Sequence, residues 1–151
     1  MMKRRLFLSS LAATPALFAA SSAFAMKPEI FASRGIAIRG YDPVAYFKQR
    51  RAVRGHSDFE TDYKGATFRF ATAENRNDFI ANPEKYAPQY GGYCAWAVSH
   101  GYTASITPEA WTIEGDKLYL NYSLRVRAQW EADKQTRIRL ADENWPAVLN
   151  R

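Results

Sequence analysis

The strongest pattern along the chain lies between residues 57 and 71. Phe59, Thr61 and Tyr63 alternate with Asp58, Glu60 and Asp62, and Lys64-Gly65 supplies a turn. Phe68 and Phe70 then share one face of the returning strand, so this stretch predicts a hairpin. A second hairpin is predicted from 109–113 and 117–122 around Glu114-Gly115-Asp116, with Trp111, Ile113, Leu118 and Leu120 on its apolar faces. Helical signals fall between and after the hairpins. Thr72 is placed to cap a helix over about 73–81, and Asn82-Pro83 reads as a cap with proline at the first helical position. Ser123 is placed to cap a helix to about 134, with Val126 and Trp130 on one face, and a final helix over about 136–144 aligns Ile138, Ala141 and Trp145. Residues 39–47 read as extended, because Pro43 drives Asp42 out of the helical region and Val44, Tyr46 and Phe47 favour strand. Residues 26–38 read as a poorly specified lead-in, and 49–55 as a charged loop. The predicted fold class is α+β: one small domain of two β-hairpins interleaved with short helices, with helices at its C-terminal end.

Composition narrows the class. The 151 residues are 47% hydrophobic and 15% aromatic, enough to build one real core. The net charge of +6 invites a nucleic-acid partner, but Lys3, Arg4 and Arg5 supply half of it, leaving +3. The other basic clusters, at Arg50, Arg51 and Arg54 and at Arg125, Arg127, Arg137 and Arg139, read as solvated faces. No nucleic-acid module pattern is present, so nucleic acid is excluded as a partner.

Residues 1–25 read as a cleaved export signal. Lys3, Arg4 and Arg5 form a charged head, an apolar run follows over 6–20, and Ala23 and Ala25 are the small residues before a cleavage point. The run is too short for a comfortable membrane span, so no stable membrane anchor is expected after cleavage. Arg4-Arg5-Leu6-Phe7-Leu8 resembles the twin-arginine signal, which implies the twin-arginine export machinery as a partner and a periplasmic location. The mature domain is then 26–151.

Candidate chemistry concentrates in residues 86–101, which hold the single cysteine, Cys94, and one of two histidines, His100. A lone cysteine excludes an internal disulfide, leaving a packed thiol, a reactive thiol, a metal ligand or half of an intermolecular bridge. Gly91 and Gly92 permit backbone angles that let a ligand or another chain segment come close. If residues 93–100 are helical, Cys94 falls in the first turn behind Tyr93, where a thiolate is favoured. The alternative is a small hydrophobe packed beside Ala95, Ala97 and Val98. Thiolate with imidazole suits copper or another transition metal, with Cys94, His100 and His56 as ligands and Asp42 or nearby tyrosines as further partners. Spacing opposes a joint role for Cys94 and His100, since six helical residues give about 9 Å of rise and about 240° of rotation. Trp96, Trp111, Trp130 and Trp145 read as core anchors, or with the tyrosines as walls of a ligand pocket. There is no nucleophile elbow, no HExxH, no paired-carboxylate signature and no phosphate loop, which favours a binding module over an enzyme.

Two blocks carry a family resemblance. Asp42-Pro43-Val44, the run Tyr63-Lys-Gly-Ala-Thr-Phe-Arg-Phe-Ala71 and Asn82-Pro-Glu-Lys-Tyr86 resemble the YHS domain. The longer pattern, with Tyr86-Ala-Pro-Gln-Tyr-Gly-Gly-Tyr-Cys-Ala95 and Lys117-Leu-Tyr-Leu-Asn-Tyr122, is similar to exported bacterial YHS domain-containing proteins, some of them selenoproteins, over roughly 35–149. The resemblance implies the YHS fold and binding or sensing of a metal or small ligand, here at a pocket containing Cys94. The alternatives are a redox-active single thiol and a structural or interaction domain with an inert thiol. Metal-binding relatives carry cysteines at positions matching Ala45, Ala71 and Asn75, so their sulfur ligands are missing here.

Overall fold

The computed structural model describes residues 12–17 and 26–151. The export signatures at Arg4, Arg5, Ala23 and Ala25 lie outside the described residues. From Lys27 onward the chain is tied into the domain, the Lys27 amide donating to Leu149 O at 2.9 Å.

The predicted lead-in is structured. Strands β1 (Ala32–Ser33) and β2 (Ile36–Ala37) form a small antiparallel hairpin turning on Arg34 and Gly35, with φ of 53° and 80°. Paired positive-φ residues match the twist of a two-residue hairpin. β2 then pairs in parallel with β4 (Ala66–Phe70), which pairs antiparallel with β3 (His56–Tyr63), giving the order β1-β2-β4-β3. The alternation read from sequence sets the faces. Phe68 and Phe70 are fully buried, and Phe79 from α2 (Ala73–Ala81) stacks over them with ring centroids 4.9 and 5.2 Å away. Thr72 caps α2, accepting from the Asn75 amide.

Residues 43–48 depart from the predicted strand. They form α1 (Pro43–Lys48), with Asp42 as its cap and Pro43 in the first turn. Asp42 is extended (φ −79°, ψ 113°), as a residue before proline must be. That same geometry is the helix-cap geometry, and a proline there lacks only an N–H the helix would leave unpaired. The Asp-Pro pair starts a helix here, and tertiary burial of Val44, Ala45 and Tyr46 overrides their strand preference.

After α3 (Pro83–Tyr86), whose Asn82 makes no side-chain capping bond, comes a tight 3-10 turn, Gln89–Gly92. The short helix α4 (Ala95–Ser99) follows, and the second hairpin, β5 (Trp111–Glu114) with β6 (Lys117–Leu120), forms its own two-stranded sheet. α5 (Leu124–Ala132) is capped by Ser123, and α6 (Lys134–Asn144) begins slightly earlier than expected and packs on α4. The class is α+β, as the pattern predicted.

Two apolar clusters result. One gathers Phe68, Phe70, Phe79, Val44, Leu118 and Leu120, and the other gathers Trp130, Tyr119, Ala141 and Val148. Residues 90–98 run between them. Cys94 and Ala97 face the first cluster, while Tyr90, Tyr93, Ala95 and Val98 face the second.

Candidate ligand pocket at Cys94

Proline 88 closes the preceding segment, and the turn behind it is bent by three successive left-handed residues, Tyr90, Gly91 and Gly92, at φ 57°, 62° and 82°. Gly91 serves a chain crossing. A Cβ there would lie 1.7 Å from Glu29 O, and Gly91 O accepts the Phe31 amide at 2.9 Å. The close approach that the glycine pair permits is therefore taken by the lead-in. Tyr90 and Tyr93 hold the same corner: Tyr90 Oη donates to Asp142 Oδ1 at 2.8 Å, and Tyr93 Oη donates to Pro28 O at 2.7 Å. Of the predicted thiol-site residues, Gly91, Gly92 and Tyr93 build the scaffold behind Cys94.

Cys94 sits at the cap of α4, one position before the predicted first turn. Its amide donates to Ala104 O at 3.0 Å, and Sγ accepts the Tyr122 amide at 3.3 Å. The thiol points to Asn121 Oδ1 at 3.6 Å, and that oxygen also takes the Trp96 amide at 3.0 Å. Asn121 is fully buried, so this amide fixes both the thiol and the start of α4. Cys94 is only 1% exposed, yet it lines a cavity of about 250 Å³ with Trp96, Ala97, Tyr102, Ala104, Tyr122 and Val126. Tyr102 and Tyr122, 49% and 55% exposed, carry the cavity to the surface. Among the described residues no charged side chain lines it.

Burial pushes the thiol up from its ordinary value, against smaller downward pulls from the backbone N–H groups of Ala97, Tyr122 and Trp96. The thiol is therefore protonated near neutrality and donates rather than attacks. A raised folded value means the unfolded chain ionises first. The contribution of Cys94 to stability is then full below about pH 8.5 and lost as pH rises through the folded value. Denaturant unfolding of the wild type and Cys94→Ser across pH 7–10.5 should show the wild type losing more stability at the alkaline end. A thiol that titrates at or below the free-cysteine value would favour the redox reading instead.

The histidines go elsewhere. His100 is exposed at the end of α4, its ring 4.5 Å from that of Trp96 and its Nε2 3.1 Å from Arg137 Nη1. Guanidinium can only donate, so Nε2 spends its lone pair on Arg137. His56 begins the edge strand β3, exposed, where Nδ1 accepts the Asp58 amide at 3.1 Å. Among the described residues no group of three or more His, Cys, Asp or Glu could hold a metal ion. The ligand set Cys94, His100 and His56 is thus not assembled: the thiol faces inward to Asn121, while both imidazoles face solvent and other partners.

The positions that carry cysteine in metal-binding relatives converge on another group. Asp42, fully buried, takes the Val44 and Ala45 amides on Oδ1 at 2.8 and 3.2 Å. Its Oδ2 takes the Ala71 amide and Asn75 Nδ2, both at 2.8 Å. Ala45, Ala71 and Asn75 therefore surround a carboxylate already filled by four N–H donors. No sulfur is available there, and a soft-metal site does not fit these residues. Sequence reasoning missed this knot and missed Asn121. An Asp-Pro start and a polar residue ending the apolar run 118–120 were the available signals.

Fold and site together define a small α+β domain whose one thiol is buried beside an apolar cavity. Residues 44–90 match the family model of the YHS domain, a family associated with metal binding. The matched stretch contains Ala45, Ala71 and Asn75 and ends before Cys94. No curated protein and no solved structure matches the chain.

Proposed function

We propose that this protein is an exported, periplasmic binding module that takes a small, uncharged, mainly apolar ligand in the cavity beside Cys94. The observation that carries the reading is that Sγ of a buried cysteine lines an uncharged cavity of about 250 Å³ reaching the surface at Tyr102 and Tyr122. Cavities with apolar walls and a few placed polar groups are the usual form of small-molecule sites. The polar groups here are the Cys94 thiol and the tyrosine hydroxyls. They suit a ring or short chain bearing one hydrogen-bonding group better than an ion, whose desolvation nothing in the walls offsets. Copper or another transition metal is disfavoured by the donors at hand, a thiol that burial keeps protonated, with no His, Asp or Glu among the described residues lining the cavity.

The twin-arginine signature of residues 4–8 and the small residues Ala23 and Ala25 support export, and N-terminal sequencing of chain recovered from a periplasm should begin at Met26. The binding reading is tested by titrating phenol into the full chain and following the Trp96 and Ala97 amides by NMR. Saturable shifts are expected, and Ala104→Phe, which places a ring in the cavity, should weaken binding at least tenfold. Shifts that are absent, or untouched by Ala104→Phe, would remove the pocket from the account.

A further inference from the structure

We infer that a second site, an oxyanion-binding groove, lies on the outer face of the four-stranded sheet between Arg34, Arg39 and Arg69. These three arginines, with Ser33 and Ile36, line a groove of about 410 Å³, and among the described residues no carboxylate lines it. Arg69 projects from β4 on the face opposite the buried Phe68 and Phe70. Gly55 lets the chain pass close to the Arg69 main chain, where a Cβ would lie 2.6 Å from the carbonyl carbon, and Gly40 lies beside the Arg69 stem.

Two backbone features aim the other arginines. Arg34 occupies the β1–β2 turn at φ 53°. Arg39 sits at φ 51° directly after Ile38 at φ 49°, and a β-branched residue in that region is a rare outlier. Such strain costs about 1–3 kcal/mol and persists where the surroundings demand it, commonly at ligand clamps. Burial of Ile38 in the core holds the bend, which leaves Arg39 on the surface.

The charge in the groove is only partly spent. Arg69 Nε is engaged by Glu60 Oε1 at 2.8 Å, and Arg39 Nε donates to Ile106 O at 2.8 Å. These bonds hold both guanidinium groups by Nε, and among the described residues no hydrogen bond engages their Nη atoms. Among the described residues no ion pair takes up Arg34 or Arg39. Fixed, planar guanidinium forks with free donors match the paired oxygens of a phosphate or carboxylate group. The groove is open to solvent, so its affinity will fall with salt.

The test is a calorimetric or NMR titration of the full chain with inorganic phosphate, ionic strength being held constant with sodium chloride. Saturable one-to-one binding is expected. It should weaken at least tenfold in Arg34→Asn/Arg39→Asn, since asparagine tolerates the same left-handed backbone. Arg125→Ala, an exposed arginine on α5, should leave it unchanged. Acetate in place of phosphate separates a carboxylate ligand from a phosphate one, and saturable binding of either supports the groove. No saturable binding of either anion, or an equal loss in Arg125→Ala, would overturn it.

Discussion

Replacing Asp42 with alanine should destabilise the protein by about 4 kcal/mol, the largest effect of any single polar substitution outside the apolar core. The carboxylate accepts from Val44, Ala45, Ala71 and Asn75 and is fully buried. It therefore joins the start of α1, the end of β4 and the first turn of α2 at one point. Alanine leaves four N–H donors without acceptors in a buried site, and unmade bonds to a charged group cost more than neutral ones. Typical domains are stable by only about 5–15 kcal/mol, so the variant should sit near the edge of unfolding. Asp42→Asn keeps one acceptor oxygen but turns an NH₂ toward other donors, so a loss of about 2 kcal/mol is expected. Urea unfolding of the two variants checks both figures. A cost below about 1 kcal/mol for alanine would show that water replaces the carboxylate easily, and the knot would not be the organising feature described.

Gly91→Ala should cost about 3 kcal/mol, from left-handed strain and a forced backbone shift together. The new methyl would lie 1.7 Å from Glu29 O, which is main chain and cannot swing aside as a side chain would. Gly65→Ala is the matched control. Its φ of +84° is as unfavourable, but nothing lies within 4 Å of the added carbon, so only about 1 kcal/mol should be lost. Hydrogen exchange adds a local reading. The Phe31 amide, bonded to Gly91 O, should lose protection in Gly91→Ala and keep it in Gly65→Ala. Equal costs for the two variants would mean that the lead-in is only loosely seated on the turn.

What was legible in the sequence was local. Alternation through Phe59, Thr61 and Tyr63 and the turns at Lys64-Gly65 and Gly115-Asp116 specify their hairpins within a dozen residues, and the caps Thr72 and Ser123 mark their helices directly. Asp42-Pro43 was legible but double-edged, because an extended residue before proline fits both a strand and a helix cap. The burial that decides between them comes from α2 and β4. The lead-in could not be read because its strands are two residues long and exist only by pairing with β4 and crossing Gly91. The candidate site was half legible. Cys94 and the glycines drew notice by type, but their division of labour depends on contacts with Glu29, Ala104 and Tyr122, far away in the chain. The cavity is likewise built from 94–104 and 122–126 together, and no periodicity in either segment announces a gap between them. The three arginines of the sheet groove come from the β1–β2 turn, the bend after it and β4, so no charge run in the sequence marks them.

The proposed function rests on the space beside Cys94 receiving a small apolar ligand. The most direct measurement is an intermolecular NOE experiment on the full chain with phenol. Bound phenol ring protons should show NOEs to the Cys94 β-protons and the Ala97 methyl group, and Ala104→Phe should abolish them. Phenol that binds with NOEs only to other parts of the surface, or that shows none at saturating concentration, would contradict the claim and return Cys94 to the role of a packed thiol.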